Sequence, residues 1–379
     1  MKPRVAHMVA SGGLYGAERV IITLSKEMLR LGLADPILVC LEDSPEGRQQ
    51  IGVVLAREGV EVHHVPVRNL RPGQSTKALR GALTRAGADL AHSHGYKALI
   101  LGRTACQTFG IPIVATNHGW DSPTWRVRLY QRWEAHLMRS IAAVVAVSQA
   151  GAKQIRQRGV PACRTVVIPN GVPVLPPGKT ARSLRRELGL GCGVRALAFV
   201  GQLVHRKGLD VLLNALGRAA GILGDFRLFI AGDGPLRDKL RAHACALGLS
   251  ERVSWLGFRR DIETVYEICD LVVLPSRYEG MPMTILEAMS HGRAVLATDV
   301  GGAGEVIQDG INGRLVPARD VDALASALRE LLADDNRRDS LAREARRTVM
   351  TQYSSDLMAA RYAVLYRRVL GCAEIAHGL

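Results

Sequence analysis

A chain of 379 residues exceeds the roughly 250 to 300 at which a single core stops growing, so two domains are expected and a lone small module is excluded. Apolar residues at 47% and charged residues at 22% provide side-chain volume for a packed interior, which excludes a disordered chain. The net charge of +15 is uneven: residues 1–176 hold 22 Lys or Arg against 11 Asp or Glu, and residues 177–379 hold 28 against 24, so the first half carries the basic surface. Such a surplus attracts phosphates, nucleic acid or acidic lipid, with codon bias, to which the excess of Arg over Lys of 42 to 8 points, as the alternative.

In chain order, the first expected strand is Val5–Ala10. Lys2 and Arg4 precede it, but the apolar run is short and is interrupted by His7, Gly12 and Gly13, unlike a secretory leader. The best apolar stretch, Ile141 to Val147, is far shorter than the roughly 20 residues of a membrane span. A cytoplasmic protein is expected. Further strands follow at Ile37–Leu41, Val62–Val67, Ala88–His92, Ile111–Thr116, Ala142–Val147 and Thr165–Ile168, with helical stretches between most of them. The clearest helix places Val20, Ile21, Leu24, Met28 and Leu31 on one face, ending at Gly32.

The segment Asn170 to Gly178 has three prolines and two glycines, too turn-rich for either element, and marks the domain boundary. The pattern then restarts with strands Ala196–Val200, Arg227–Ala231, Val253–Leu256, Leu271–Leu274, Ala294–Thr298 and Arg314–Val316. Strands alternating with helices predict parallel sheets flanked by helices in both halves, an α/β fold. A last helix, Ser355 to Leu370, carries Met358, Tyr362, Leu365, Tyr366 and Val369 on one stripe. The seven cysteines form no C-x-x-C pair and are odd in number, so reduced and mostly buried thiols are expected rather than disulfides or a zinc site.

Four places carry chemistry. Gly12, Gly13 and Gly16 lie between the first strand and the first helix, where small residues let a ligand approach backbone, although their spacing is not the dinucleotide fingerprint G-x-G-x-x-G. His118, in Thr116-Asn-His-Gly-Trp120, follows a strand end, where open α/β sheets place ligands; His63, His64, His92 and His94 read as interior side chains. Arg206 and Lys207 stand beside a helix amino terminus near Gly208, a place unfavourable to cations unless an anion compensates them. Finally a strand ending at Leu274 leads through Glu279 and Gly280 into a helix beginning near Pro282, with Met283 and Thr284 in its first turn and Glu287 inside it. Helix amides there can seat an anion, and carboxylates at 279 and 287 can accept bonds from vicinal hydroxyls. A turn at Gly232-Asp-Gly-Pro235 puts Pro235 near another helix start.

Taken together these pieces resemble the group 1 (family 4 type) retaining glycosyltransferases of the GT-B architecture. The likeness rests on Gly12-Gly13-Leu-Tyr-Gly-Ala-Glu18, Asn117-His-Gly119, Val147-Ser148, Ile168-Pro-Asn-Gly171, Gly201 with Lys207-Gly208, Gly232-Asp-Gly-Pro235, and above all the E-x7-E element from Glu279 to Glu287. It covers nearly the whole chain in the family's order. The resemblance implies two facing Rossmann-like domains, an acceptor-side domain over 1–175 and a nucleotide-sugar domain over 176–355, with 356–379 crossing back to the first. By the same resemblance His118, Lys207 and Glu279 are catalytic: Lys207 neutralises the donor diphosphate, Glu279 touches the transferred sugar, and His118 lines the sugar site. Glu287 holds the ribose, and Gly12, Gly13, Gly16, Arg206, Gly280, Met283 and Thr284 bind substrate.

The chain departs from the family pattern at Gln202, where an arginine often follows Gly201, and at Pro173, where aspartate is common. Arg206 is the candidate replacement for that arginine. The expected activity is transfer of a sugar, with retention, from a UDP- or GDP-linked donor to a glycan or lipid-linked saccharide of a cell-surface polysaccharide. No metal is expected, because no D-x-D motif sits at a strand end. Residues near Leu256 to Arg260 are expected to meet the base. The helix carrying Trp125, Arg126, Arg128, Tyr130, Arg132, Trp133 and Arg139 is a candidate for an anionic membrane face, which makes the protein peripheral. The residues also admit a related nucleotide-sugar enzyme, an epimerase or phosphorylase, and a non-catalytic binder of acidic polymer. Against nucleic acid stand an aromatic content of 4% and the lack of a stacking platform.

Overall fold

The computed structural model describes residues 2–10, 13–42, 50–67, 73–120, 125–174, 185, 190–191 and 193–371. It divides into two compact units: the chain up to Gly171 together with the segment from Ser355 onward, and Val172–Ser354. The division between Gly171 and Val172 falls in the Pro- and Gly-rich stretch that begins at Asn170.

The first unit contains β1 (Arg4–Val9), β2 (Asp35–Glu42), β3 (Glu61–Pro66), β4 (Leu90–His94), β5 (Ile113–Asn117), β6 (Ala143–Ala146) and β7 (Thr165–Val167). They form one sheet in the order β3-β2-β1-β4-β5-β6-β7, with every pairing parallel. The second unit contains β8 (Arg195–Val200), β9 (Phe226–Ala231), β10 (Val253–Gly257), β11 (Leu271–Leu274), β12 (Ala294–Thr298) and β13 (Arg314–Val316). Its order, β10-β9-β8-β11-β12-β13, repeats the first and is again parallel throughout.

Parallel sheets are covered on both faces by crossover helices, so their central strands read as continuous apolar runs. In β11, Leu271, Val272, Val273 and Leu274 are all buried. The flanking helices are amphipathic: helix Gly16–Arg30 buries Val20, Ile21, Leu24 and Met28. Helix Leu209–Ala219 buries Leu212, Leu213 and Leu216 in the core of the second unit.

Helix Ser355–Val369 belongs to the first unit for a chemical reason. Its buried tyrosines have hydroxyls that need partners, and the first sheet provides them. Tyr366 Oη lies 2.7 Å from His92 Nδ1, and Tyr362 Oη lies 3.0 Å from Thr116 Oγ1, which is itself 2.7 Å from His92 Nε2. Ser355 Oγ donates to Glu27 at 2.9 Å, so the helix is tied at its start as well.

Helix Trp125–Met138 turns a polar group inward. Trp120 Nε1 donates to Glu134 at 2.6 Å, and the Arg158 guanidinium lies 3.9 Å from the Trp120 ring centre. Burial raises the Glu134 carboxyl from 4.5 to about 7, against the lowering effect of the Trp120 bond. A carboxyl whose folded value is raised stabilises the fold below its unfolded value and loses that contribution as pH rises through the folded one. Glu134→Gln, which still accepts from Trp120, is therefore expected to be more stable than the parent at pH 8 by about 2–3 kcal/mol and equal to it near pH 4. Urea midpoints at the two pH values check this.

Two expectations need correction. The helix after Gly232-Asp-Gly-Pro235 starts at Arg237, so Pro235 sits in the turn before it and not in its first position. His63 and His64 are not satisfied interior groups, because β3 is an edge strand: they pair with Glu61 and Glu42 at 2.7 and 2.6 Å. Among the described cysteines Cys40, Cys106, Cys163, Cys245 and Cys269 are free, and Cys163 and Cys245 are exposed. Burial pushes the thiols of Cys40, Cys106 and Cys269 up to about 12, where they are inert. No helix among the described residues is long and apolar enough to cross a membrane.

Candidate active site

In an open parallel sheet the crevice for a ligand lies outside the carboxyl ends of the strands, where the strand order reverses. In the second unit that point lies between β8 and β11, and in the first between β1 and β4.

After β8 the chain turns through a short 3-10 segment, His205–Lys207, and Gly208 caps the helix that follows. Gly208 has φ +67°, and a Cβ there would collide with the Pro275 carbonyl after β11. Only glycine lets these two strand-end loops approach so closely. The approach brings Lys207 Nζ to 2.6 Å from Glu279 Oε1, which also accepts from Ser276 Oγ at 2.6 Å. Arg206 reaches the other oxygen at 3.9 Å. Lys207 and Glu279 are buried, while Arg206 is half-buried. Alongside, Arg277 makes a two-pronged pair with Asp210 at 2.8 and 2.7 Å and thereby ties the β11 loop to the first turn of the helix after Gly208.

Contrary to the expectation from sequence, the cations at this helix end need no outside anion. Glu279 supplies the compensating charge from within the chain. An incoming phosphate must therefore compete with that carboxylate for Lys207.

Glu279 is placed by the glycines opposite it. Gly301 has φ +53° and a Cβ there would strike the Glu279 carbonyl, while Gly302 N–H donates to Gly280 O at 2.9 Å. The helix Met283–Ser290 then starts with Pro282 in the cap position, which makes no side-chain cap bond. Thr284 does not offer its hydroxyl proton to a ligand, because Oγ1 donates to the Val200 carbonyl at 3.1 Å and pins the helix to β8. Met283 is buried. Glu287 is held by Tyr266, whose hydroxyl donates to Oε2 at 2.7 Å. Sequence reasoning did not single out Ser276, Tyr266, Arg277 or Asp210. Arg277 and Asp210 lie 67 residues apart and meet only through the pairing of β8 with β11.

In the first unit Gly12 lies outside the described residues. Gly13 precedes the first helix, and a Cβ on it would come 2.9 Å from the Tyr15 ring; Gly16 is the first residue of that helix. His118 follows β5, and it does not stand alone. His94 Nδ1 lies 3.2 Å from His118 Nε2, and His7 Nδ1 lies 3.1 Å from His94 Nε2. His7 and His92 are register partners on β1 and β4, so the imidazoles gather at the switch point of this sheet.

Burial lowers His7 and His118 from 6.5 to about 4. His92 and His94 fall well below 6.5, first through burial and then through their histidine neighbours. Ring nitrogens of His7, His92 and His94 lie within 4.8 Å of one another, close enough to share a metal ion. Both nitrogens of His92 are engaged with Tyr366 and Thr116, so ligation would cost one of those bonds.

The two sheets share one strand order, with a seventh strand added to the first, and the second bears a cation-carboxylate-helix site at its switch point, an arrangement that agrees with the GT-B architecture. Residues 182–348 match Glycosyl transferases group 1, and residues 15–174 match Glycosyltransferase Family 4. A D-inositol 3-phosphate glycosyltransferase of Xylanimonas cellulosilytica is 30% identical over 374 residues, covering 89% of this chain and 88% of that one. An Escherichia coli UDP-Gal:alpha-D-GlcNAc-diphosphoundecaprenol alpha-1,3-galactosyltransferase is 28% identical, with 86% and 87% covered. The crystal structure of Anabaena Alr3699/HepE in complex with UDP-glucose superposes with TM-score 0.86 at 24% identity, covering 96% of this chain and 99% of that one. The chain belongs to the group 1 glycosyl transferases.

Proposed function

We propose that the chain is a retaining hexosyltransferase that moves a sugar from a UDP- or GDP-linked donor to a glycan or lipid-linked saccharide acceptor of a cell-surface polysaccharide. The observation that carries this reading is the pairing of Lys207 with Glu279 at the β8/β11 switch point, with Glu287 on the helix that follows. The Escherichia coli relative, named for a UDP-Gal donor and a diphosphoundecaprenol acceptor, supports the donor and acceptor classes.

In this reading the donor diphosphate takes over Lys207, with Arg206 and the amides of Gly280, Met283 and Thr284 completing the anion seat. Glu279, released from the lysine but still held by Ser276, turns to the sugar hydroxyls. Glu287 accepts from the ribose hydroxyls, with Tyr266 fixing its orientation. His118 is the sugar contact in the ligand crevice of the first unit, where Gly13 and Gly16 keep the backbone open. Phe258, 48% exposed just beyond β10, offers a face on which the base can stack. Attack comes on the face the leaving group departs from, and a phosphate oxygen takes the acceptor proton as the glycosidic bond forms.

Fixed cations carry the leaving-group charge, so no metal is required and a chelator is expected to leave the rate unchanged. Helix Trp125–Met138 exposes Trp125, Leu129 and Trp133 together with Arg128 and Arg132, residues spaced three and four apart. That stripe fits an anionic bilayer surface. Acidic liposomes at low salt are expected to retain the protein, and Trp125→Ala with Trp133→Ala to release it; parent protein that stays in the supernatant would dismiss the membrane role.

A panel of UDP-, GDP- and ADP-sugars tests the whole reading. A bound donor raises the melting temperature of the native state. One nucleotide class is expected to do so, with the shift abolished in Glu287→Ala and largely kept in Glu279→Ala, which loses turnover. No shift with any of them would overturn the proposal.

A further inference from the structure

The contacts among the first unit's histidines have a direction. A neutral imidazole has one N–H and one lone pair, so a chain of neutral imidazoles runs donor to acceptor one way only. His7 Nδ1, His94 Nε2, His94 Nδ1 and His118 Nε2 form such a chain through contacts of 3.1 and 3.2 Å. His7 and His94 are buried, which keeps them neutral near pH 7. The far end settles the order. His7 Nε2 is buried without a hydrogen-bond partner among the described residues. A bare lone pair is tolerated there better than an orphaned N–H, the rarer defect in protein interiors.

We infer that His7 donates to His94 and His94 donates to His118, so that His118 is held as the Nδ1–H tautomer and serves its ligand as a hydrogen-bond donor, not as a base. Its Nε2 lone pair is occupied by His94, and Nδ1 keeps its proton. Among the described residues no hydrogen bond is made to Nδ1, which leaves that N–H for an incoming oxygen. The oxygen is a sugar hydroxyl or an oxyanion developing during transfer. His94 is thus a positioning residue that acts through His118. His92 is outside the chain, with its nitrogens on Tyr366 and Thr116. The inference rests on the proposed role of His118, but the tautomer can be read without any substrate.

The test is a long-range nitrogen–proton spectrum of the full chain labelled with 15N-histidine, assigned with His118→Gln. In the parent protein His118 is expected to show a protonated Nδ1 and an unprotonated Nε2. His94→Leu removes the donor and is expected to let His118 revert to the Nε2–H form, with kcat down about 10-fold and the donor KM little changed. His94→Asn, whose amide N–H stands near the lost Nδ1–H, is expected to restore both the tautomer and most of kcat.

An Nε2–H tautomer in the parent protein would overturn the inference, as would a His118 tautomer indifferent to His94→Leu. Zinc moving the His7, His92 and His94 signals together, reversed by chelator, would also overturn it in favour of a metal site. If His94→Leu fails to fold, the parent spectrum decides alone. A donor-binding failure in the nucleotide-sugar panel would leave this result standing.

Discussion

Lys207→Ala is expected to slow sugar transfer by about 10²–10³ in kcat and at the same time to destabilise the second unit by about 3–5 kcal/mol. The two effects have different origins. Transfer slows because the departing diphosphate loses its fixed cation, a preorganised electrostatic partner. Stability falls because Glu279, 5% exposed, is left buried opposite a missing charge. The double variant Lys207→Ala with Glu279→Ala separates them. It is expected to regain most of the stability, because no unpaired charge remains, and none of the activity. Urea unfolding and initial rates on the four proteins of this cycle provide the check. A double variant as unstable as the single one would mean that the unpaired Glu279 charge is not what destabilises Lys207→Ala.

The second large effect concerns pH. The folded values of His7 and His118 are depressed from 6.5 to about 4. A depressed group contributes stability that is present above its unfolded value and is lost as pH falls through the folded one. The first unit should therefore weaken steeply between pH 6.5 and 4, while the second, without such a cluster among its described residues, should not. For the fully buried His7 the difference corresponds to about 3 kcal/mol at pH 4. His92 and His94, also held well below 6.5 by burial and by their histidine neighbours, act in the same direction. His7→Phe is expected to flatten the acid limb by roughly that amount. Fluorescence-monitored urea titrations at pH 7.5, 5.5 and 4.5 measure it. Parallel curves for parent and variant would contradict the assignment.

Much of the fold was legible because parallel strands announce themselves. Runs such as Leu271 to Leu274 are buried on both faces and need no partner to be recognised. The Tyr362 and Tyr366 stripe marked a buried helix in the same way, although its hydroxyl partners His92 and Thr116 could not be read locally. The motif residues Lys207, Glu279 and Glu287 were legible as chemistry but not as geometry. Lys207 and Glu279 lie 72 residues apart, and their pairing follows only from β8 lying beside β11. The histidine chain was the least accessible feature: His7 looked like an interruption in an apolar strand. Its meaning depends on β1 pairing with β4, which sets it beside a residue 87 positions away.

In the proposed function the switch point of the second unit binds a nucleotide sugar through Lys207 and Glu287. A crystal grown with UDP-glucose or GDP-mannose tests it most directly. The diphosphate is expected on Lys207 and the amides at Met283, with the ribose hydroxyls on Glu287 and the Lys207–Glu279 contact opened. A nucleotide bound elsewhere, with that contact intact, would contradict it.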